Sequence, residues 1–289
     1  MLTIKVPATS ANLGPGFDSI GMAVSIYLTV KVIEPAAAWQ VEHDLGDLPH
    51  DETNLIVQTA LKVAPDLTPH HLQVTSEIPV AHGLGSSSSA IVAGIELANQ
   101  LADLQLPAEQ KVLIASQIEG HPDNVAPAIL GGLVIGTKAG EKFLAVPAPA
   151  LPWDLITYIP AYNLATADAR AVLPATLSFQ EATHASAIAN TLAAALVAQQ
   201  YEVVAQLLEQ DQFHEPFRQR LVPELTTIRR LAHEAGAVAT YLSGAGPTIM
   251  ILSGPDCTAK VVQAIQGAGL QAPIQVLTSV ATGVQVERA

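Results

Sequence analysis

An α+β fold is predicted for this chain by three observations. Strands and helices mix along the sequence without strict alternation, which argues against a doubly wound parallel sheet. Two pairs of short apolar runs lie side by side, "GGLVIGT" with "KFLAVP" and "AVATYLS" with "TIMILS". After Pro160 the composition changes to Ala-rich helical stretches, which places a soft boundary near residues 150–160.

Residues 2–7 alternate as a strand should, and 22–33 ("MAVSIYLTVKVI") are rich in β-branched residues. Residues 51–64 carry apolar side chains at helical spacing after an acidic start. Residues 71–80 read as a strand ending near Pro79, and 87–102 as an Ala/Leu/Ile helix. Pro107 suits the start of a helix over 108–118, and a short helix is expected at 125–129. The run 153–160 ("WDLITYIP") is a further strand. Helices are expected at 178–199, 201–210, 223–235 and 256–266, with strands at 237–243, 248–253, 273–280 and 283–287.

Composition narrows the function. Of 289 residues, 49% are hydrophobic and only 4% aromatic, so the core is built mainly from Ala, Val, Leu and Ile. Charged residues are 13% and the net charge is −13, without the basic footprint that nucleic acid or an anionic membrane requires. Cys257 is the only cysteine, which fits a reducing cytoplasm and excludes an internal disulfide. The start of the chain shows no cationic segment followed by an apolar one, and no uncharged apolar run of membrane-spanning length is seen.

Three stretches carry the chemistry. In "PVAHGLGSSSSAIVAG" (79–94), glycines precede four serines and a helix. Glycine lets a backbone turn tightly around a ligand. A helix start offers unpaired N–H groups and the positive end of its dipole, both suited to phosphate. No lysine follows, so this is not a Walker A loop; the plainer reading is a turn with Ser86 as helix N-cap. "PATSANLGPGFDSIG" (7–21) sets Thr9, Ser10, Asn12 and Asp18 among glycines, where Asn and Asp also serve as ordinary turn residues. "IEGHPDNVAPAILGG" (118–132) brings Glu119, a suitable Mg²⁺ ligand, next to His121, Asp123 and Asn124. Asp123 or Asn124 is also suited to cap the helix that follows. In a chain with 13 Lys+Arg, Arg170, Arg218 and Arg220 are natural clamps for a carboxylate, although a surface ion pair is the commoner fate of arginine. "SGAGPT" (243–248) is a second Gly-rich turn.

Taken together and in this order, "PATSANLGPGFDSIG", "PVAHGLGSSSSA" and "SGAGPT" resemble the GHMP small-molecule kinases, from residue 3 to the end of the chain. "SANLGPGFD" and "HPDNVAPAILGG" resemble the members of that family that act on homoserine. The resemblance implies a two-lobed α+β GHMP kinase fold: a ribosomal protein S5 domain 2-like ATP-binding lobe over 1–155 and a ferredoxin-like lobe over 156–289. It implies transfer of the ATP γ-phosphoryl group to the side-chain hydroxyl of L-homoserine, on the way to threonine, in the cytoplasm. Pro79, Val80, Ala81, His82, Gly83, Leu84, Gly85, Ser86, Ser87, Ser88 and Ser89 would wrap the ATP phosphates, with Asn54 near the adenine. Ser87, or else Ser86, would hold Mg²⁺ with Glu119. Asn12, Asp18, His121, Asn124 and Thr166 would face homoserine, and Arg170 and Arg218 would hold its carboxylate. "SGAGPT" would brace the phosphate loop, and an Ala-rich C-terminal half fits a homodimer.

Two departures stand out. Many relatives have extra residues between the glutamate and the histidine, whereas "EGHPDN" is contiguous here, and His82 stands where relatives often carry arginine. Several family members place an aspartate base where this chain matches with Asn124. An amide cannot accept a proton as a base, so catalysis by positioning and Mg²⁺ electrostatics is expected, with Asp123 as the rival base. The alternatives are a kinase of another alcohol, such as mevalonate or shikimate, and a regulator that kept the fold without turnover.

Overall fold

The computed structural model describes residues 1–288. Two sheets organise it. In the first, β1 (Leu2–Ala11) and β2 (Ile20–Pro35) form a long antiparallel pair, with β4 (His70–Ser76) on the far side of β2 and the short β3 (Gln40–Glu42) parallel to β4. The start of β2 instead pairs β5 (Leu133–Ala139), which pairs β6 (Lys142–Ala148). The register of β1 against β2 shifts between Pro7 and Ala8. A proline lacks the N–H that a regular ladder needs, and irregularities are where sheets tolerate it.

Four helices belong to this part: α1 (Leu55–Val63), α2 (Ser86–Leu101), α3 (Ala108–Glu119) and α4 (Val125–Leu130). α2 packs against β1, α1, α3 and α4, and its stretch Ile91–Asn99 is buried all round. Mostly apolar around its circumference, with its buried Glu96 paired to Lys111, it sits at the centre rather than on the surface.

The second sheet contains β7 (Asp154–Tyr158), β8 (Ala239–Leu242), β9 (Ile249–Ser253) and β10 (Ile274–Leu277), in the order β10-β7-β9-β8 and antiparallel throughout. Between β7 and β8 run α5 (Thr166–Ala171), α6 (Phe179–Val197), α7 (Tyr201–Leu207), α8 (Glu215–Arg218), a 3₁₀ turn at Gln219–Leu221 and α9 (Glu224–Glu234). α10 (Pro255–Gly267) links β9 to β10, which completes the split βαβ arrangement of ferredoxin-like sheets. Successive strand residues face opposite ways. Leu155, Tyr241, Met250 and Leu252 therefore join the core of the first sheet, while Ile156, Tyr158, Ile249 and Ile251 form a second core under α9 and α10.

The last strand, β11 (Gln285–Arg288), returns to the first sheet beside β1. A division at 155/156 falls inside β7. β1 extends four residues beyond the expected strand because Thr9 and Ser10 remain paired with β2 while their buried hydroxyls find partners elsewhere in the chain. β4 stops at Ser76, short of the expected end, where the Ser76 hydroxyl accepts the Ile78 N–H. Among the described residues, no helix is long and apolar enough to cross a membrane.

Candidate active site

One cleft gathers most of the side chains singled out above. It is lined by Asn12, Asp18, Ala81, His82, Gly83, Gly85, Ser86, Ser87, Ser88, Glu119, His121, Asn124, Thr166, Arg170 and Arg218. Phe17, Asp123, Leu164 and the Gly244–Gly246 turn complete it, and its open side runs past Leu55, Ile91 and Ile118.

One wall is built around the start of α2 and the glycine-rich loop before it. Ser86 is not the cap: Gly85 is, with φ 70, and no side chain caps the helix. The first N–H groups of this 16-residue helix are thus left for the cleft. The loop is held from behind. Ser243 Oγ donates to Gly83 O at 2.7 Å, Ser10 Oγ lies 2.8 Å from Ser243 Oγ, and the Tyr241 hydroxyl lies 3.0 Å from Ser10 Oγ. The Thr248 N–H donates to His82 O, and the Gly244 N–H to Ala11 O. The turn at 243–248 therefore touches both the glycine-rich loop and β1. His82 is half-buried and turns its ring back onto Val80 O.

Glu119 ends α3, and its Oε1 accepts from Ser88 Oγ at 2.9 Å. Glu119 is thereby paired with the serine after Ser87, while Ser87 lines the cleft mouth. The chain then turns at Gly120 into His121-Pro122-Asp123-Asn124. Neither Asp123 nor Asn124 caps α4 through its side chain. Asp123 is spent on a short hydrogen bond with His121 Nδ1, and Asn124 Oδ1 accepts from Thr9 Oγ1 at 2.9 Å. Burial pulls His121 down, but the Asp123 bond and the nearby carboxylates outweigh it and hold the imidazole above its ordinary pKa.

The opposite wall comes from the second half of the chain. Thr166 and Arg170 stand four residues apart on α5 and so share one face. Arg170 makes a two-point bond with Asp18, Nη2 to Oδ1 at 2.7 Å and Nη1 to Oδ2 at 3.1 Å. Asp18 raises the Arg170 pKa further. Arg218 is 2% exposed. Its Nε donates to Ala169 O at 3.0 Å and its Nη1 to Gly244 O at 3.0 Å, with His214 Nδ1 at 3.2 Å. Burial and the neighbouring Arg170 push Arg218 down to about 10, so it stays charged at neutral pH. α8 is anchored by Asp211, whose carboxylate accepts the N–H groups of Phe213, His214 and Glu215. Burial lowers the pKa of His214, which packs its neutral ring on Phe17 at 5.1 Å between centroids.

Some of the residues named above have structural contacts of their own. Asn54 caps α1, its Oδ1 accepting the Ile56 N–H and its Nδ2 donating to Pro49 O. Leu84 is buried in the core, and Ser89 Oγ donates to Ser86 O. Pro79 and Val80 lie on the loop outside the cleft lining. Asn12 lines the cleft but spends its amide as a brace, Nδ2 to Gly244 O and Oδ1 from the Asp18 N–H. Arg220 lies outside the cleft lining. Two contributors were missed as site residues. Phe17 lies within 5.5 Å of the Arg170 and Arg218 guanidiniums and sits inside the quoted 7–21 stretch, where an aromatic in so aromatic-poor a chain was the available signal. His214 stands one helical turn before Arg218, but nothing in the sequence ties it to Gly14, whose carbonyl it meets at 3.0 Å.

Residues 54–132 match the model of the GHMP kinases N terminal domain, and 192–269 that of the GHMP kinases C terminal. Homoserine kinase of Limosilactobacillus fermentum is 63% identical over 285 residues, covering 99% of this chain and 100% of the relative. A solved structure from Listeria monocytogenes superimposes with a TM-score of 0.90 at 45% identity over 100% of both chains. The crystal structure of homoserine kinase from Cytophaga hutchinsonii gives a TM-score of 0.86 at 26% identity, covering 99% of this chain and 97% of that one. With the glycine-rich loop, the 243–248 turn and the two-sheet architecture in place, the chain belongs to the GHMP kinase family, among its homoserine kinases.

Proposed function

We propose that this cleft transfers the γ-phosphoryl group of ATP to the side-chain hydroxyl of L-homoserine, and that it does so without a protein general base. The observation that carries the reading is the pairing of two walls. One is an uncapped helix start behind a glycine-rich loop; the other is the Arg170–Asp18 pair with the buried Arg218 beside it. A free amino acid matches the second wall. Its carboxylate suits the two guanidiniums and its ammonium suits Asp18, so a zwitterion replaces one ion pair with two.

The donor set of Glu119, Ser88 and Ser87 is all oxygen, which suits a hard divalent cation. Mg²⁺ held there would neutralise charge on the phosphoryl oxygens. The chain's own groups then bind and orient. The helix start and loop N–H groups hold the phosphates. Arg170, Arg218 and Asp18 fix the amino-acid end, which leaves the side-chain hydroxyl toward Asn124. Asn124 accepts no proton, and Asp123 is buried and bonded to His121. Positioning suffices because the transition state of phosphoryl transfer is loose and demands little covalent help. The hydroxyl proton leaves late, to a phosphoryl oxygen. A cytoplasmic location belongs to the same proposal, supported by the free Cys257, and so does a homodimer.

Phosphotransfer assayed across homoserine, mevalonate, shikimate and galactose tests the substrate; preference for any alcohol but homoserine overturns it. Arg170→Ala is expected to raise KM for homoserine by about 10- to 100-fold, in line with loss of a charge-assisted contact of about 1.5–3 kcal/mol, and to leave KM for ATP nearly unchanged. An equal loss for ATP would move Arg170 to the nucleotide. For the mechanism, Asn124→Ala is expected to lower kcat while Asp123→Asn keeps measurable turnover. The reverse pattern, with homoserine binding intact in both variants, makes Asp123 the base.

A further inference from the structure

We infer that Thr9 is a positioning residue for the transfer step: its hydroxyl sets the Asn124 amide with both N–H bonds toward the cleft. The inference rests on the kinase reading above. Thr9 lies in β1 and is 1% exposed. Its Oγ1 donates to Asn124 Oδ1 at 2.9 Å, and that is the one hydrogen bond of this hydroxyl among the described residues. A reversed amide would aim its N–H at Oγ1 and strand the hydroxyl hydrogen in a buried place, which is costly. Oδ1 is therefore held at the back, and Nδ2 is the end left for the cleft that Asn124 lines.

The same residue touches the other reactant's wall. The Thr9 N–H donates to Leu84 O at 3.1 Å, in the phosphate loop. The next residue, Gly85, lies so close that a Cβ there would meet Thr9 Oγ1 at 2.1 Å and Asn124 Oδ1 at 3.3 Å. Thr9 thus sets the distance between the loop that holds the phosphates and the amide that meets the acceptor alcohol.

This orientation defines what Asn124 does. With Oδ1 engaged by Thr9, the amide donates to oxygen lone pairs in the cleft, those of the alcohol or of the phosphoryl group, rather than taking a hydrogen bond from the alcohol. One lone pair of the alcohol oxygen is held by Nδ2–H while another faces phosphorus. The alcohol hydrogen turns away from Asn124 toward the phosphoryl oxygens, where it is finally transferred as the O–P bond forms and the bond to the leaving ADP oxygen breaks.

The test is a double-mutant cycle in initial rates, with ATP and homoserine varied separately. Thr9→Val removes the hydroxyl and keeps the shape. It is expected to lower kcat about 10- to 100-fold, the scale of a misplaced reacting group, with little change in KM for ATP. Thr9→Ser is expected to restore kcat. In an Asn124→Ala background, Thr9→Val is expected to add nothing, because the two act as a unit. A purely structural role for Thr9 predicts the opposite, equal losses in both backgrounds alongside a lowered Tm, and overturns the inference. So does a Thr9→Val kcat close to that of the unaltered chain. Should Thr9→Val fold poorly, the same cycle with Thr9→Ala decides. If the unaltered chain does not turn over homoserine, both readings fall; if it does and the cycle shows no coupling, only this one does.

Discussion

Gly83→Ala is expected to lose most of its affinity for ATP while keeping that for homoserine. Gly83 has φ +76, a conformation that L side chains rarely adopt, and an added Cβ would lie 2.3 Å from Ser243 O and 2.9 Å from Gly246 O. Both neighbours are backbone, in the turn that braces the loop through the Ser243–Gly83 hydrogen bond. No rotamer change relieves the contact, so either the loop lifts or the brace breaks. Strain of this kind costs about 1–3 kcal/mol, which is about 5- to 100-fold if spent on the bound loop geometry. Steady-state KM for each substrate, with nucleotide binding measured directly, checks it. Gly254→Ala is the control, because that glycine has φ −63 and nothing within 4 Å of the added atom. Unchanged ATP affinity in Gly83→Ala would separate the 79–89 loop from the phosphates.

The second large effect is expected at Arg218. Arg218→Met should raise KM for homoserine by about 30-fold or more, since truncating one partner of a buried charge pair costs about 2–5 kcal/mol. KM for ATP should move little. Arg218→Lys should not rescue, because an ammonium cannot serve Ala169 O, Gly244 O and a ligand from one plane as a guanidinium does. Stability should fall as well, as Ala169 O loses its Arg218 donor at about 1–3 kcal/mol, while Gly244 O keeps Asn12 Nδ2. Thermal unfolding separates the two losses: a variant that unfolds earlier but binds homoserine normally would assign Arg218 to the fold alone. Arg170, partly exposed and already paired with Asp18, should show the smaller effect on stability.

Much of the fold was legible because its elements are set by local rules. The β-branched run of β2, the Pro-started α3, the two adjacent strand pairs and the helices α6, α9 and α10 all lie within a few residues of their expected positions. β3, α5 and α8 escaped notice. β3 is three residues long and is defined by pairing with β4; α8 is four residues long and is held by the Asp211 carboxylate. Elements that short carry no period, so only their partners reveal them.

The site divides along the same line. The sequence alone determined the chemical inventory: a glycine-rich loop entering a helix without a lysine, Glu119 at the end of α3, Asn124 in place of an aspartate, and scarce arginines at 170 and 218. These are properties of residue type and near spacing, and backbone geometry within one turn follows from them. Tertiary structure decided how each group is used. It made Asn54 a helix cap, paired Asp123 with His121 and gave Glu119 a hydrogen bond from Ser88. It set Thr9 behind Asn124 across 115 positions, and Ser10 against Ser243 across 233. A polar side chain needs a partner once buried, but any donor of the right reach will serve. Which one it meets depends on how β1, α2 and the 243–248 turn pack together, and local sequence rules do not contain that distance.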